Sequence, residues 1–183
     1  MTDQHPMEIA LNATASDILD AIGRGFRTQA DVKGKLAELY LSRELDGLQA
    51  SGIIETYDWR DKDGMPDFGV KVFDKSLEVE VKNVRAGKAI WKDPVGFKLE
   101  LQKTRNSKDG KNTRSYPITA FDIVVACLFN QTKHWRFLYV ATKKLARTKL
   151  DKNLLEIYHR VPAQPESPWR ETLREAIEDC IGR

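Results

Sequence analysis

Cysteine and histidine are scarce, at two and three residues in a chain of 183. Cys127 lies in an apolar run and Cys180 in a C-terminal amphipathic stretch. Neither has a partner at metal-ligand spacing, so both read as buried thiols of a reducing cytoplasm. His5, His134 and His159 are scattered, which excludes a clustered zinc site. No apolar run approaches the roughly 20 residues of a membrane span, and the N-terminus lacks the basic-then-apolar pattern of a secretory signal. The expected localisation is therefore cytoplasmic, with no membrane partner. Internal repeats, low-complexity tracts, a helix-turn-helix and a zinc module are also missing. What remains is an ordinary globular composition, 41% hydrophobic and 31% charged, long enough for one domain with a substantial core.

The net charge of +3 hides a division. Between Lys82 and Lys149 stand 16 Lys/Arg against 4 Asp/Glu, and the rest of the chain holds 14 against 23. A basic half after an acidic one suits a ligand with a phosphate backbone. Solvated basic faces share this composition, so the division points to nucleic acid only together with other signals.

The strongest of these is the stretch from Pro66 to Lys82, PDFGVKVFDKSLEVEVK. Two alternating runs flank Phe73-Asp74-Lys75-Ser76, which predicts a β-hairpin with one face on a core. Leu77, Val79 and Val81 point one way, and Glu78, Glu80 and Lys82 the other. Glu80 and Lys82 then stand about 7 Å apart on one face. A turn centred on Asp74-Lys75 puts Phe73 opposite Ser76 and Asp67 opposite Lys82, with Asp67 diagonal to Glu80. A slip of one residue would move Asp67 to the other side. Two carboxylates this close repel unless a positive charge lies between them. A hard divalent cation such as Mg2+ would take oxygen ligands there and add substrate phosphate oxygens to its shell. The lysine could orient or help deprotonate a water, or stabilise a phosphorane. A surface hairpin with a charged solvent face is the plainer alternative.

Pro66-Asp67 followed by Glu80-Val81-Lys82 resembles the PD-(D/E)XK signature of the restriction-endonuclease-like nuclease superfamily. That superfamily often carries a KGxxxE context on a preceding helix, and Lys33-Gly34-Lys35-Leu36-Ala37-Glu38 is similar to it. The resemblance spans roughly Asp31 to Tyr139. It implies that Glu38, Asp67, Glu80 and the carbonyl of Val81 bind metal, Mg2+ or Mn2+ in its place, and that Lys82 assists catalysis. Glu44 competes with Glu38 for the role of helix carboxylate.

The remaining chain is read in order. Residues 1–13 are expected to be a loose arm. Thr14 or Ser16 caps a helix through Ile22, ended by Gly23 and Gly25, and a second helix runs from about Thr28 to Ala50. Ile53 to Tyr57 reads as a strand and Asp58 to Gly64 as a solvated turn. Asn83 to Gly96, with Arg85, Lys88 and Trp91, reads as a loop bordering the site. Phe97 to Arg105 alternates again. Lys103, Arg105, Lys108, Lys111 and Arg114 then form a basic loop able to neutralise phosphates, and Gln102 could bond a phosphate or the reacting water. Phe121 to Phe129 fits a fully buried central strand. Trp135 to Ala141 supplies another, with Trp135, Phe137 and Tyr139 on one face. A strand near Glu156 to Val161 and a helix starting at Ser167-Pro168 complete the chain.

This order predicts an α/β (α+β mixed) fold, a central mixed β-sheet flanked by helices, in agreement with the restriction-endonuclease-like core implied above. It is expected as a single domain over 1–183, with the C-terminal helix and its linker at 162–183. The function expected is a metal-dependent endonuclease acting on DNA, type II restriction-like, and a homodimer would suit an enzyme that cuts both strands. A junction- or repair-type nuclease of the same fold and a non-catalytic nucleic-acid-binding module are the alternatives.

Overall fold

The computed structural model describes residues 4–88, 91–103 and 114–182. Two compact units divide at Leu36 and Ala37. In the first, α1 (Pro6–Leu11) replaces the expected loose arm. Its start is fixed locally: His5 Nδ1 accepts from the Met7 N–H, Glu8 bonds back to the His5 N–H, and Pro6 stands where no amide donor is needed. Thr14 and Asp17 cap α2 (Ala15–Arg24) in the same reciprocal way, and Gly25 ends it. Neither helix buries a residue.

Helix α3 (Phe26–Ala50) carries the chain into the second unit. There Ala37, Leu41 and Leu45 recur at intervals of four and are fully buried, with Glu38 and Ser42 on the adjoining stripe. Gly52, at a φ of +72, turns the chain out of the helix. A five-stranded sheet follows in the order β1 (Thr56–Trp59), β2 (Phe68–Val72), β3 (Lys75–Asn83), β6 (Ile123–Cys127), β7 (Phe137–Ala141). The pair β3–β6 is parallel and the other pairs are antiparallel, so the sheet is mixed as expected. Strand β6 is buried on both faces. Ile123, Val125 and Cys127 join the core under α3, whereas Val124, Ala126 and Leu128 join a second core on the opposite face. Phe137 and Tyr139 share the first core, with Trp135 packed against it.

The second core is closed by a three-stranded antiparallel sheet, β4 (Trp91–Lys92), β5 (Val95–Glu100) and β8 (Tyr158–Pro162). This separate sheet was not anticipated. Two boundaries also differ. The first strand starts at Thr56, because Thr56 to Trp59 pair with Lys71 to Phe68. After a short α4 (Phe129–Thr132), the last helix, α5 (Leu173–Ile181), starts at its Thr172 cap, because Arg170 is engaged in a bridge to Tyr139. Among the described residues no helix is long and apolar enough to cross a membrane.

Candidate active site

The hairpin forms with a two-residue turn at Phe73-Asp74. Val72 pairs with Lys75 and Phe68 with Val79. The register is thus two residues from the expected one, a slip that preserves the face. Continued one step, it sets Asp67 beside Glu80 rather than Lys82. Strand β2 ends at Phe68, which leaves the edge of β3 beyond Val79 without a strand partner on that side. Asp67 fills the gap: its Oδ2 accepts the Val81 N–H at 2.7 Å. The N–H and C=O of one strand residue face the same edge, so the Val81 carbonyl is directed to the side where Asp67 lies.

Leu77, Val79 and Val81 enter the core under α3. Glu80 and Lys82, level with Val124 and Ala126, project to the side of the second core. Glu80 is 5% exposed, and its Oε1 takes the Lys82 ammonium at 2.5 Å. Burial and the Glu80 charge, with a smaller contribution from Glu38, push the Asp67 carboxyl up to about 7 against the opposing pull of the Val81 N–H and Lys82. Burial alone would lower the Lys82 ammonium. Glu80, helped by Tyr116 and Asp67, outweighs it, and Lys82 ends above the ordinary lysine range.

Glu38 is 8% exposed, and its Oε2 accepts the Trp59 indole N–H at 2.7 Å. Glu44 is engaged elsewhere, with the Tyr139 hydroxyl, in surroundings whose burial raises its carboxyl. The helix carboxylate that acts on Asp67 is therefore Glu38. The three acids do not form one chelating group: among the described residues no set of three His, Cys, Asp or Glu side chains is arranged to hold a metal ion. An oxygen of Glu38 is committed to Trp59 and one of Glu80 to Lys82.

Tyr116 belongs to the site and carried no signal in the sequence. It packs edge-on against Phe121 at 5.1 Å between centroids, and its carbonyl accepts the Leu155 N–H at 2.9 Å. The phenol is held above its usual range by burial and by Glu80, toward which its hydroxyl is turned. Asp122 serves the backbone instead, accepting the Glu78 N–H at 2.8 Å.

The basic candidates divide. Arg85 is exposed and paired with Glu100 at 3.0 Å, and Lys88 is exposed. Gln102 bonds Glu100. Lys103 and Arg114 close a short ladder, Lys103 N–H to Arg114 O at 2.9 Å, and Arg114 Nε returns to the Lys103 carbonyl at 2.7 Å. Arg105, Lys108 and Lys111 lie outside the described residues.

The donors at the end of the hairpin, two carboxylates and a peptide carbonyl, are all oxygen, and the crowding of Asp67 against Glu80 is the charge imbalance a hard divalent cation would relieve. The residues fit such an ion through two carboxylates, the number Mg2+ ordinarily takes from protein.

No protein-family model matches the chain, and no curated protein matches it. Among solved structures, a bacterial homing endonuclease, I-Ssp6803I, is similar over 79% of this chain and 85% of its own, with 17% identity and a TM-score of 0.48. A likeness at that level bears on neither activity nor substrate.

Proposed function

We propose that the chain is a metal-dependent endonuclease that hydrolyses DNA phosphodiester bonds, with its site at the open end of β3. The observation that carries this reading is the Asp67 carboxylate seated on the Val81 N–H beside buried Glu80, with Lys82 bonded to the same acid. A structural ion pair needs one acid and one base. Here a second acid is held next to the first although burial and that proximity together push it up to about 7, an arrangement that a cation between the two would relieve.

Asp67, Glu80 and the Val81 carbonyl would hold Mg2+ or Mn2+. When bound, the metal supplies a Lewis acid for the phosphate and lowers the pKa of a coordinated water. Lys82, raised above the ordinary lysine range by Glu80 against the effect of burial, would orient the water and balance charge gathering on the phosphorane. Glu38 adds negative charge from outside the pair. Lys103 and Arg114, with Arg85 and Lys88, supply cations for the strand backbone, and Gln102 an amide. A type II restriction-like enzyme, cutting as a homodimer in the cytoplasm, is the form we favour. A junction- or repair-type nuclease would use the same site.

Incubation of supercoiled plasmid with Mg2+ or Mn2+ tests this. Nicking by wild type that falls at least about 100-fold in both Asp67→Ala and Lys82→Ala is the expected result. The competing reading is a DNA-binding module without catalysis, favoured by the pairing of Glu80 with Lys82 and of Glu38 with Trp59. Gel-shift binding with no cleavage under either metal would establish it and overturn ours.

A further inference from the structure

Trp59 is a large hydrophobic residue left 42% exposed at the end of an edge strand, yet it is fixed on two sides. Its ring stacks on Phe68, its cross-strand partner, at 5.8 Å between centroids, and its indole N–H donates to Glu38 Oε2 at 2.7 Å. The next residue, Arg60, donates its N–H to the Asp67 carbonyl at 2.8 Å. One short segment therefore grips both the backbone of Asp67 and the side chain of Glu38. A core-packing tryptophan would bury its ring, and a surface tryptophan would leave its N–H to water. This one keeps an exposed ring and commits its donor to a carboxylate that is 8% exposed.

We propose that Trp59 is the positioning residue of Glu38: the indole N–H tethers the helix carboxylate beside the Asp67–Glu80 pair, where it strengthens cation binding by its charge without becoming a direct ligand. The inference rests on the reading of Asp67 and Glu80 as a metal site. The segment that tethers Glu38 also holds the Asp67 backbone, and this links the acid to the pair although among the described residues no three-acid group is formed. Groups that orient acids around a metal typically change affinity by 10–100-fold when removed. The indole also gives the tether a signal of its own, since its emission responds to the charge next to its N–H.

The test is Mn2+ titration of the full chain without DNA, followed by calorimetry and by tryptophan emission. Trp59→Phe keeps the ring on Phe68 and removes the donor. Glu38→Gln keeps an acceptor for the indole and removes the charge. Each should weaken Mn2+ binding about tenfold, and the double variant should bind no more weakly than Glu38→Gln, because Trp59 acts only through Glu38. The emission of wild type should change on titration, and Trp59→Phe and Glu38→Gln should lose that change. Wild-type affinity in Trp59→Phe, or effects that multiply in the double variant, would overturn the proposal. Should Trp59→Phe not fold, an emission change that survives intact in Glu38→Gln overturns it equally. Asp67→Asn separates the two levels: Mn2+ binding unaffected by that substitution would remove the metal site itself, whereas its loss beside an unaffected Trp59→Phe would remove only the tether.

Discussion

Asp67 is the residue where charge and geometry disagree. Its Oδ2 is held by a backbone donor that favours the anion, yet burial and Glu80 raise it to about 7. A carboxyl raised on folding contributes stability that is fully present below its unfolded value near 4 and is lost as pH rises through the folded value. Between pH 4 and 7 the metal-free protein should therefore lose stability relative to Asp67→Asn, which keeps an acceptor for Val81 and has nothing to titrate. At pH 8 the asparagine variant should be the more stable by about 4 kcal/mol. Mg2+ should close that gap by stabilising wild type alone. Melting curves at pH 4 to 8, with and without Mg2+, check both halves; parallel curves for the two proteins would refute the assignment. The acids of this site were legible because the hairpin alternates, and alternation determines the face of each side chain. Trp59 and Tyr116 were not legible. An aromatic residue in a polar stretch looks the same whether its donor meets water or a carboxylate brought in from another element.

The hairpin shows how a wrong register can leave the right face. A turn centred on Asp74-Lys75 and the observed turn at Phe73-Asp74 differ by two residues in pairing, so Asp67, Glu80 and Lys82 keep their common side while Asp67 moves level with Glu80. The sequence offered no Asn-Gly or Gly-first dipeptide to mark the observed turn, and Phe73 occupies it at a φ of +54. An L-residue held there is disfavoured by about 1–2 kcal/mol, partly offset in glycine by its greater backbone freedom. Half of the Phe73 surface is exposed, so its removal costs less packing than that of a core phenylalanine. Phe73→Gly should stabilise the protein by about 0.5 kcal/mol, read as a rise in the denaturation midpoint with an unchanged slope. A fall in that midpoint would mean that Phe73 holds the turn through contacts of its own. The β1 boundary was missed for a related reason. Ile53 and Ile54 have strand composition but leave the helix at Gly52, and Ile54 is drawn into the core, so pairing begins only at Thr56.

Within the second unit, the two cores place the chemistry. The face of the main sheet under α3 is wholly apolar around β3, while its other face carries Glu80 and Lys82 at the margin of the core that the three-stranded sheet closes. That small sheet could not be anticipated from alternation, because β5 and β8 lie about 60 residues apart and periodicity names no partner. Its consequence is functional. The extension of β5 reaches Lys103, whose ladder with Arg114 leads within two residues to Tyr116, so basic side chains and the phenol facing Glu80 come from one continuous strip. If that strip meets the DNA backbone, each cation it contributes releases about one counterion, and the slope of log K against log salt should change by about one per residue removed. Lys103→Gln and Arg114→Gln should each flatten the slope by about that amount in a Ca2+ or metal-free binding assay, equally for unrelated DNA sequences, while leaving Mn2+ affinity at Asp67 and Glu80 unchanged. Slopes identical to wild type in both variants would place the backbone contacts elsewhere on the basic half, and would leave the hairpin acids without the substrate-holding surface assigned to them.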